Sequence, residues 1–348
     1  MILHGAVVTG RREAAGFMAV PWVTQQLRDT LGLAPYPGTL NLQLEDPDTL
    51  ARWARLQHSD GGQRLHPPQG SGFCSATGYP VAINGQVDGV VLLPEVEGYP
   101  LDVVEVVAAE NLRQHFGLVD GAICRLLLRE DSGPRFDCVL FDLEGTLVDF
   151  QWQLVVAENE LRAAVGGLGF DTSLFTDDNY AAIRRRALEL AASPETRNEI
   201  DQRLGPIYDR YDQDALSRWS LQEGARELLA DLRGCGIRTG LVSNIGRGAV
   251  AGALRKFRLE NCVETVVTRN DVSQMKPDGK GIQQAMAALG VAAGQTLMVG
   301  DSLSDLGAAR NAGVAIAIVA GGESSPAAVA AAKPDHQLRR LAQVADLV

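Results

Sequence analysis

Lysine is almost missing from this sequence. Only Lys256, Lys276, Lys280 and Lys333 stand against 28 arginines. So uneven a choice between two cations reflects genome composition, and it draws attention to the few lysines that are kept. Positive charge as a whole is in deficit: 32 basic against 43 acidic residues leave a net −11, which excludes nucleic acid or an anionic membrane as the main partner. No run of eighteen apolar residues occurs, so no membrane-spanning helix is expected. The start, Met1-Ile2-Leu3-His4-Gly5, has no basic region followed by an apolar one, and a cytoplasmic location is expected. Cys74, Cys124, Cys138, Cys235 and Cys262 form no C-x-x-C pair and have no histidine nearby. That spacing excludes a disulfide framework or a zinc site and leaves reduced core cysteines. What remains is an ordinary globular composition, 46% hydrophobic and 22% charged, in 348 residues. That length suffices for two or three cores.

The first 131 residues show short apolar runs separated by Gly and Pro, the pattern of a β-rich domain. Strands are expected at 5–9, 16–20, 39–44, 79–83, 87–93 and 123–128. An amphipathic helix is expected over 23–31, closed by Gly32. Residues 55–72, polar and rich in Gly and Pro, read as a long surface loop. Residues 132–136 read as a linker.

Two stretches of this region carry a resemblance. Pro37-Gly38-Thr39-Leu40-Asn41-Leu42, and then Tyr99-Pro100-Leu101-Asp102 running into Val104-Glu105-Val106, resemble the archaeal-type, CTP-dependent riboflavin kinases. The resemblance implies a small cradle-loop β-barrel that meets riboflavin or FMN and CTP. It also implies that Thr39 and Asn41 hold Mg²⁺ near the nucleotide and that Glu105 lies near the flavin's ribityl hydroxyl. Oxygen ligands of this kind suit Mg²⁺. Two departures stand out. The loop Gly10–Gly16 carries Arg11, Arg12 and Glu13 where the family has glycines, and Val96-Glu97 replaces an Arg-Thr pair.

From residue 137 onward strands alternate with helices, which implies an α/β domain with a parallel sheet covered on both faces. Strands are expected at 138–143, 239–243, 263–268, 296–300 and 314–320. Between the first two lie about 95 residues without a convincing strand. Apolar residues recur there at helical spacing over 154–165, 181–191 and 195–204. An insertion placed directly after the first strand reads as a helical cap, at about 151–218.

Four strand ends are polar in a matching way. The first ends in Asp142 and Glu144, the second in Ser243 and Asn244. Lys276-Pro277 follows the third, and Asp301 with Asp305 follows the fourth. Acids, a hydroxyl and one lysine at one sheet edge suit a phosphate and a hard cation. Alone, each is an ordinary strand end, turn or helix cap. In this order they resemble the four motifs of the haloacid-dehalogenase superfamily, and the fold implied is its Rossmann-like core. The helical insertion is similar to the cap of the phosphoglycolate phosphatase-like branch.

The resemblance and the chemistry assign the same roles. Asp142 is the expected nucleophile and Glu144 the acid and base. Ser243, the Asn244 backbone N–H and Lys276 bind phosphate. Asp142, Asp301 and the Glu144 carbonyl hold Mg²⁺, with Asp305 behind the metal or Lys276. The expected activity is hydrolysis of a small phosphorylated metabolite through an aspartyl-phosphate. The fusion points to a flavin-pathway phosphate, FMN or a ribityl precursor. Three other readings are open: a bifunctional riboflavin kinase and FMN phosphatase, a phosphatase of phosphoglycolate or sugar phosphates with a binding-only N-terminal module, and a non-catalytic flavin sensor.

Overall fold

The computed structural model describes residues 1–10, 18, 20–59, 61–128 and 136–348. Arg11, Arg12, most of the strand expected at 16–20 and linker residues 132–135 lie outside them. The chain forms two compact units. One is Met1–Arg135 with Ala230–Ile237 and Ala345–Val348; the other is Phe136–Leu229 with Arg238–Val344.

Through residue 128 the elements are β1 (Ile2–Val8), α1 (Pro21–Leu31), β2 (Leu40–Gln43), α2 (Pro47–Gln57), β3 (Gln63–Leu65), β4 (Ala76–Ile83), β5 (Val87–Pro94), β6 (Val103–Ala108), α3 (Leu112–Phe116) and β7 (Ile123–Leu128). Strand order is β3-β4-β5-β6-β2-β1-β7, and β7 also pairs with β4. All these pairs are antiparallel. Six strands therefore close a barrel, which removes the open edges that a small sheet would otherwise expose. Burial alternates along β2, with Leu40 and Leu42 inside and Asn41 and Gln43 on the other face. The core contains Leu3, Leu42, Val91, Val104, Leu126 and Trp53.

The expected long loop at 55–72 is shorter than its composition suggests. Helix α2 reaches Gln57, and Gln63–Leu65 pairs with Ala76–Gly78. The Asp46 side chain caps α2 by accepting from Thr49 N at 2.7 Å. Pro47 fits the first turn, where its missing N–H costs nothing, and Trp53 is wholly buried. Helix α1 ends as expected, at a left-handed Gly32.

From residue 136 onward come β8 (Cys138–Phe141), α4 (Leu154–Gly167), α5 (Tyr180–Leu190), α6 (Pro194–Arg218), α7 (Ala225–Gly234), β9 (Arg238–Val242), α8 (Arg247–Phe257), β10 (Thr265–Val267), α9 (Lys280–Leu289), β11 (Thr296–Gly300), α10 (Leu303–Ala312), β12 (Ala315–Val319), α11 (Pro326–Ala332) and β13 (His336–Leu338). The sheet order is β10-β9-β8-β11-β12-β13, and every pair is parallel. Every residue of β8 is buried, as a central strand covered on both faces requires. The chain leaves β8 toward β9 on one side and β11 on the other. A crevice therefore opens at the carboxyl end of β8, where open α/β sheets bind their ligands. The helices of the insertion, α4 to α6, pack on one another, with Leu161, Ile183, Ile200 and Leu204 wholly buried. Helix α6 runs well beyond the expected 204 and continues past an internal Pro206.

Candidate active site

The four polar strand ends meet at that crevice. Asp142 leaves β8 with its N–H on Val299 O at 2.9 Å. Lys276 Nζ lies 2.8 Å from Asp142 Oδ1 and 2.6 Å from Asp305 Oδ1. The other Asp305 oxygen accepts from Ser302 N at 3.1 Å and Ser302 Oγ at 2.7 Å, part of a reciprocal cap at the start of α10. The Asp301 carboxylate accepts from Thr146 Oγ1 at 3.2 Å and Glu323 N at 2.6 Å.

The Asn244 side chain has a task that its motif did not announce. Its Oδ1 accepts from Lys276 N at 2.8 Å, and its Nδ2 donates to Lys276 O at 3.1 Å and Tyr180 Oη at 3.2 Å. It thereby fixes the backbone that aims the lysine. Ser243 Oγ accepts from Ile245 N at 3.3 Å, which leaves its own proton available to a ligand.

Oxygens of Asp142, Asp301 and Asp305 lie within 4.8 Å of one another. Burial raises the Asp142 carboxyl above its ordinary range against the pull of Lys276. Burial, Asp305 and Asp142 raise Asp301 well above its ordinary range. Burial pulls the Lys276 ammonium down, and Asp142 and Asp305 outweigh it and hold it above its usual value. Three carboxylates balanced by one ammonium have a deficit of positive charge. An all-oxygen donor set of this size fits Mg²⁺ or a similar hard divalent cation. Glycine makes the cluster possible. At Gly145, which has φ +80°, an added Cβ would sit 2.3 Å from Asp301 Oδ2, and at Gly322 it would sit 2.0 Å from the same atom.

Glu144 is held quite differently. Its Oε1 accepts from Gln151 N at 2.8 Å, Trp152 N at 2.7 Å and Trp219 Nε1 at 2.9 Å. Oε2 accepts no hydrogen bond among the described residues. Gln151 and Trp152 lie just before α4 and Trp219 just after α6, so the donors come from the two strands of chain that join the insertion to the sheet. Those strands are themselves paired, through Asp149 N to Ser220 O at 3.0 Å and Gln222 N to Leu147 O at 2.9 Å. Burial outweighs the three donors and pushes the Glu144 carboxyl up to about 7.

Above the crevice a cavity is lined by Trp152, Tyr180, Tyr208, Phe150, Arg269 and Glu323, with Asp142 and Ser243 at its floor. The Trp152 ring lies 5.0 Å from that of Tyr180 and stacks at 6.4 Å on that of Tyr208. Asp212, 1% exposed, accepts from Trp152 Nε1 at 3.0 Å, Gly246 N at 2.8 Å and Arg269 Nη1 at 2.8 Å. It links α6 to two strand ends of the sheet. None of these aromatic residues, nor Asp212, Arg269, Trp219 or Glu323, stands out in the sequence. Only Glu323 had a usable signal, since it follows the fifth strand as the other acids follow theirs.

In the barrel unit the register pairs Asn41 with Glu105 across β2 and β6, on the face turned away from the core. Thr39 Oγ1 donates to Asn41 Oδ1 at 3.4 Å. A Cβ on Gly10 would lie 1.7 Å from Asn41 Nδ2. The three residues singled out in the sequence are therefore neighbours. The buried Tyr99 hydroxyl has no hydrogen-bond partner among the described residues, and burial and Glu105 make it a weaker acid.

Residues 139–319 match the family model of haloacid dehalogenase-like hydrolases. Residues 7–127 match a model named for CTP-dependent riboflavin kinase and described as a domain of unknown function, DUF120. A phosphoglycolate phosphatase of Cupriavidus necator is 34% identical over 57% of this chain and 86% of its own length. A riboflavin kinase of Aeropyrum pernix is 35% identical over 36% of this chain and 95% of its own. A crystal structure from Bacteroides fragilis, assigned to the haloacid dehalogenase-like hydrolases, aligns with 60% of this chain and all of its own at a TM-score of 0.47 and 22% identity.

Proposed function

Because the chain belongs to the haloacid dehalogenase-like hydrolases, with a CTP-dependent riboflavin kinase domain ahead of the hydrolase, we propose that it is a phosphomonoesterase in which Asp142 attacks phosphorus. The observation that carries this reading is Asp142 itself, a half-buried carboxylate at the switch point of the sheet, 2.8 Å from the Lys276 ammonium and beside two further acids. A divalent cation held by Asp142, Asp301 and the Glu144 carbonyl would neutralise phosphate charge and orient the ester.

The chain's own groups account for the bond changes. The Asp142 carboxylate forms an O–P bond as the bond from phosphorus to the ester oxygen breaks. Glu144 gives its proton to the departing alkoxide, and a carboxyl near 7 is well suited to do so. The resulting carboxylate then takes a proton from water as that water attacks phosphorus. The Asp142–phosphorus bond breaks, and Glu144 is protonated again. Ser243 Oγ and the Asn244 N–H hold the phosphoryl oxygens, and Lys276 balances charge on Asp142 and the phosphate. Asp305 holds Lys276 in place.

For the barrel, the pairing of Asn41 with Glu105 supports a riboflavin and CTP site, with Thr39 and Asn41 as Mg²⁺ ligands. That site makes a flavin-pathway phosphate a reasonable natural ester. The test is phosphate release from a panel of monoesters with Mg²⁺, together with CTP-dependent conversion of riboflavin to FMN by the full chain. Release by wild type and its loss in Asp142→Asn are expected. Undiminished release by Asp142→Asn refutes the phosphatase reading. Failure to bind riboflavin removes the flavin link.

A further inference from the structure

Resting on the phosphatase reading, the geometry points to Glu323 as the residue that selects the leaving group, favouring esters of neutral polyols or sugars over esters that carry a second anion. Glu323 sits in the loop after β12. Its backbone N–H is tied to Asp301 Oδ2 at 2.6 Å, so the residue is anchored beside the carboxylate cluster. Its side chain lines the cavity above Asp142 and is not one of the three carboxylates whose oxygens lie together. Among the described residues its carboxylate takes no hydrogen bond and has no cation within ion-pair distance.

The cations beside the cavity and the Asn244 amide are already engaged. Arg269 Nη1 lies 2.8 Å from Asp212, and its Nη2 lies 2.6 Å from Asp209. Lys276 serves Asp142 and Asp305. The Asn244 amide is divided between Lys276 and Tyr180. Among the described residues that line the cavity no cation is left to balance a carboxylate or second phosphate on the leaving group, and such a group would face Glu323. A buried like-charge contact of this kind is strongly unfavourable. A hydroxyl is accommodated instead, because it can donate to Glu323 and accept from the Tyr180 hydroxyl, whose oxygen already takes a hydrogen bond from Asn244. Trp152, Tyr180 and Tyr208 add aromatic carbon to the cavity lining, beside which the skeleton of a polyol or a sugar ring would lie.

Glycerol 3-phosphate and 3-phosphoglycerate separate the cases, since they differ by a hydroxymethyl group against a carboxylate. With the full-length chain and Mg²⁺, wild type is expected to show at least a hundredfold higher kcat/KM for glycerol 3-phosphate. Glu323→Gln is expected to bring that ratio within tenfold, chiefly by improving the carboxylated ester, and Glu323→Asp to restore part of it. Each kcat/KM is referred to that of the same variant for p-nitrophenyl phosphate, which lacks both groups, so that a general loss of activity cancels from the ratio. The same preference is read without turnover in Asp142→Asn, by tryptophan fluorescence on titration with each ester. A wild-type preference for 3-phosphoglycerate, an unchanged ratio in Glu323→Gln, or equal binding of the two esters by Asp142→Asn overturns the inference. The phosphatase reading fails separately, if p-nitrophenyl phosphate is not hydrolysed in an Asp142-dependent way.

Discussion

Replacing Asp212 by alanine should cost the hydrolase unit about 3–5 kcal/mol of stability, the range for removing one partner of a buried ion pair. Three donors lose their acceptor in this substitution: Gly246 N, Trp152 Nε1 and Arg269 Nη1. The first two are buried neutral donors, each costing about 1–3 kcal/mol when left unsatisfied. Arg269 fares better. It keeps Asp209, whose side chain is 63% exposed, and donates to Asn244 O at 3.1 Å, which places the total toward the lower end of the range. In Arg269→Met the buried carboxylate of Asp212 keeps two donors and loses its counter-ion. Removing both charges should therefore cost less than the sum of the single losses, with a coupling of about 1–3 kcal/mol. The assay is urea denaturation followed by hydrogen exchange in peptides from 200–218 and 244–252, so that the barrel does not contribute. A loss below about 1 kcal/mol, or strictly additive losses in the double variant, would show that α6 is not fastened to the sheet by this pair.

Two more predictions concern the chemistry. Trp219→Phe removes one of the three donors to Glu144 Oε1. A hydrogen bond to a charged group is worth about 1.5–3 kcal/mol, so kcat should fall roughly ten- to a hundredfold. KM should hold because Trp219 does not line the cavity, and an unchanged kcat in steady-state kinetics would exclude this support of the acid. Gly322→Ala drives a Cβ to 2.0 Å from Asp301 Oδ2, so the carboxylate must swing away. Calorimetric titration should then show Mg²⁺ affinity reduced at least tenfold, and wild-type affinity would remove Asp301 from the cation site.

The sequence was most readable where one physical demand dominates. β8 is a run of buried apolar residues followed by acids, and both facts are local. The end of α1 was legible because a left-handed turn calls for glycine, and Gly32 supplies it. Helix α2 has a start signal in Asp46 and Pro47, but the Gly and Pro residues further on give the stretch the composition of a loop. β3 is three residues long and is defined by its pairing with β4, which no window of sequence contains. Within the active site, Asp142, Lys276, Asp301 and Asp305 follow apolar strands in the expected order, and the fold brings them together. The sequence motif of Asn244 points to its backbone N–H, whereas its side chain is what fixes the lysine loop. Trp219, Asp212 and Arg269 come from distant segments, and their roles arise only when cap and sheet are packed together. Glu323 is legible in principle, since it follows the apolar run of β12 as the other acids follow theirs.

Hydrolases with separable caps invite exchange of the cap to alter what they accept. In this protein such a graft cannot be cut at the helix ends. The hydrogen bonds that hold Glu144 come from Gln151, Trp152 and Trp219, so a junction placed at either end of the helical insertion would replace the cap and strip the acid of its support together. A transplant that keeps residues 144–153 and 218–222 as native framework preserves the three donors to Glu144 while the helices between them change. By position in the chain the joining segments flank the insertion; as units of exchange they belong with Glu144.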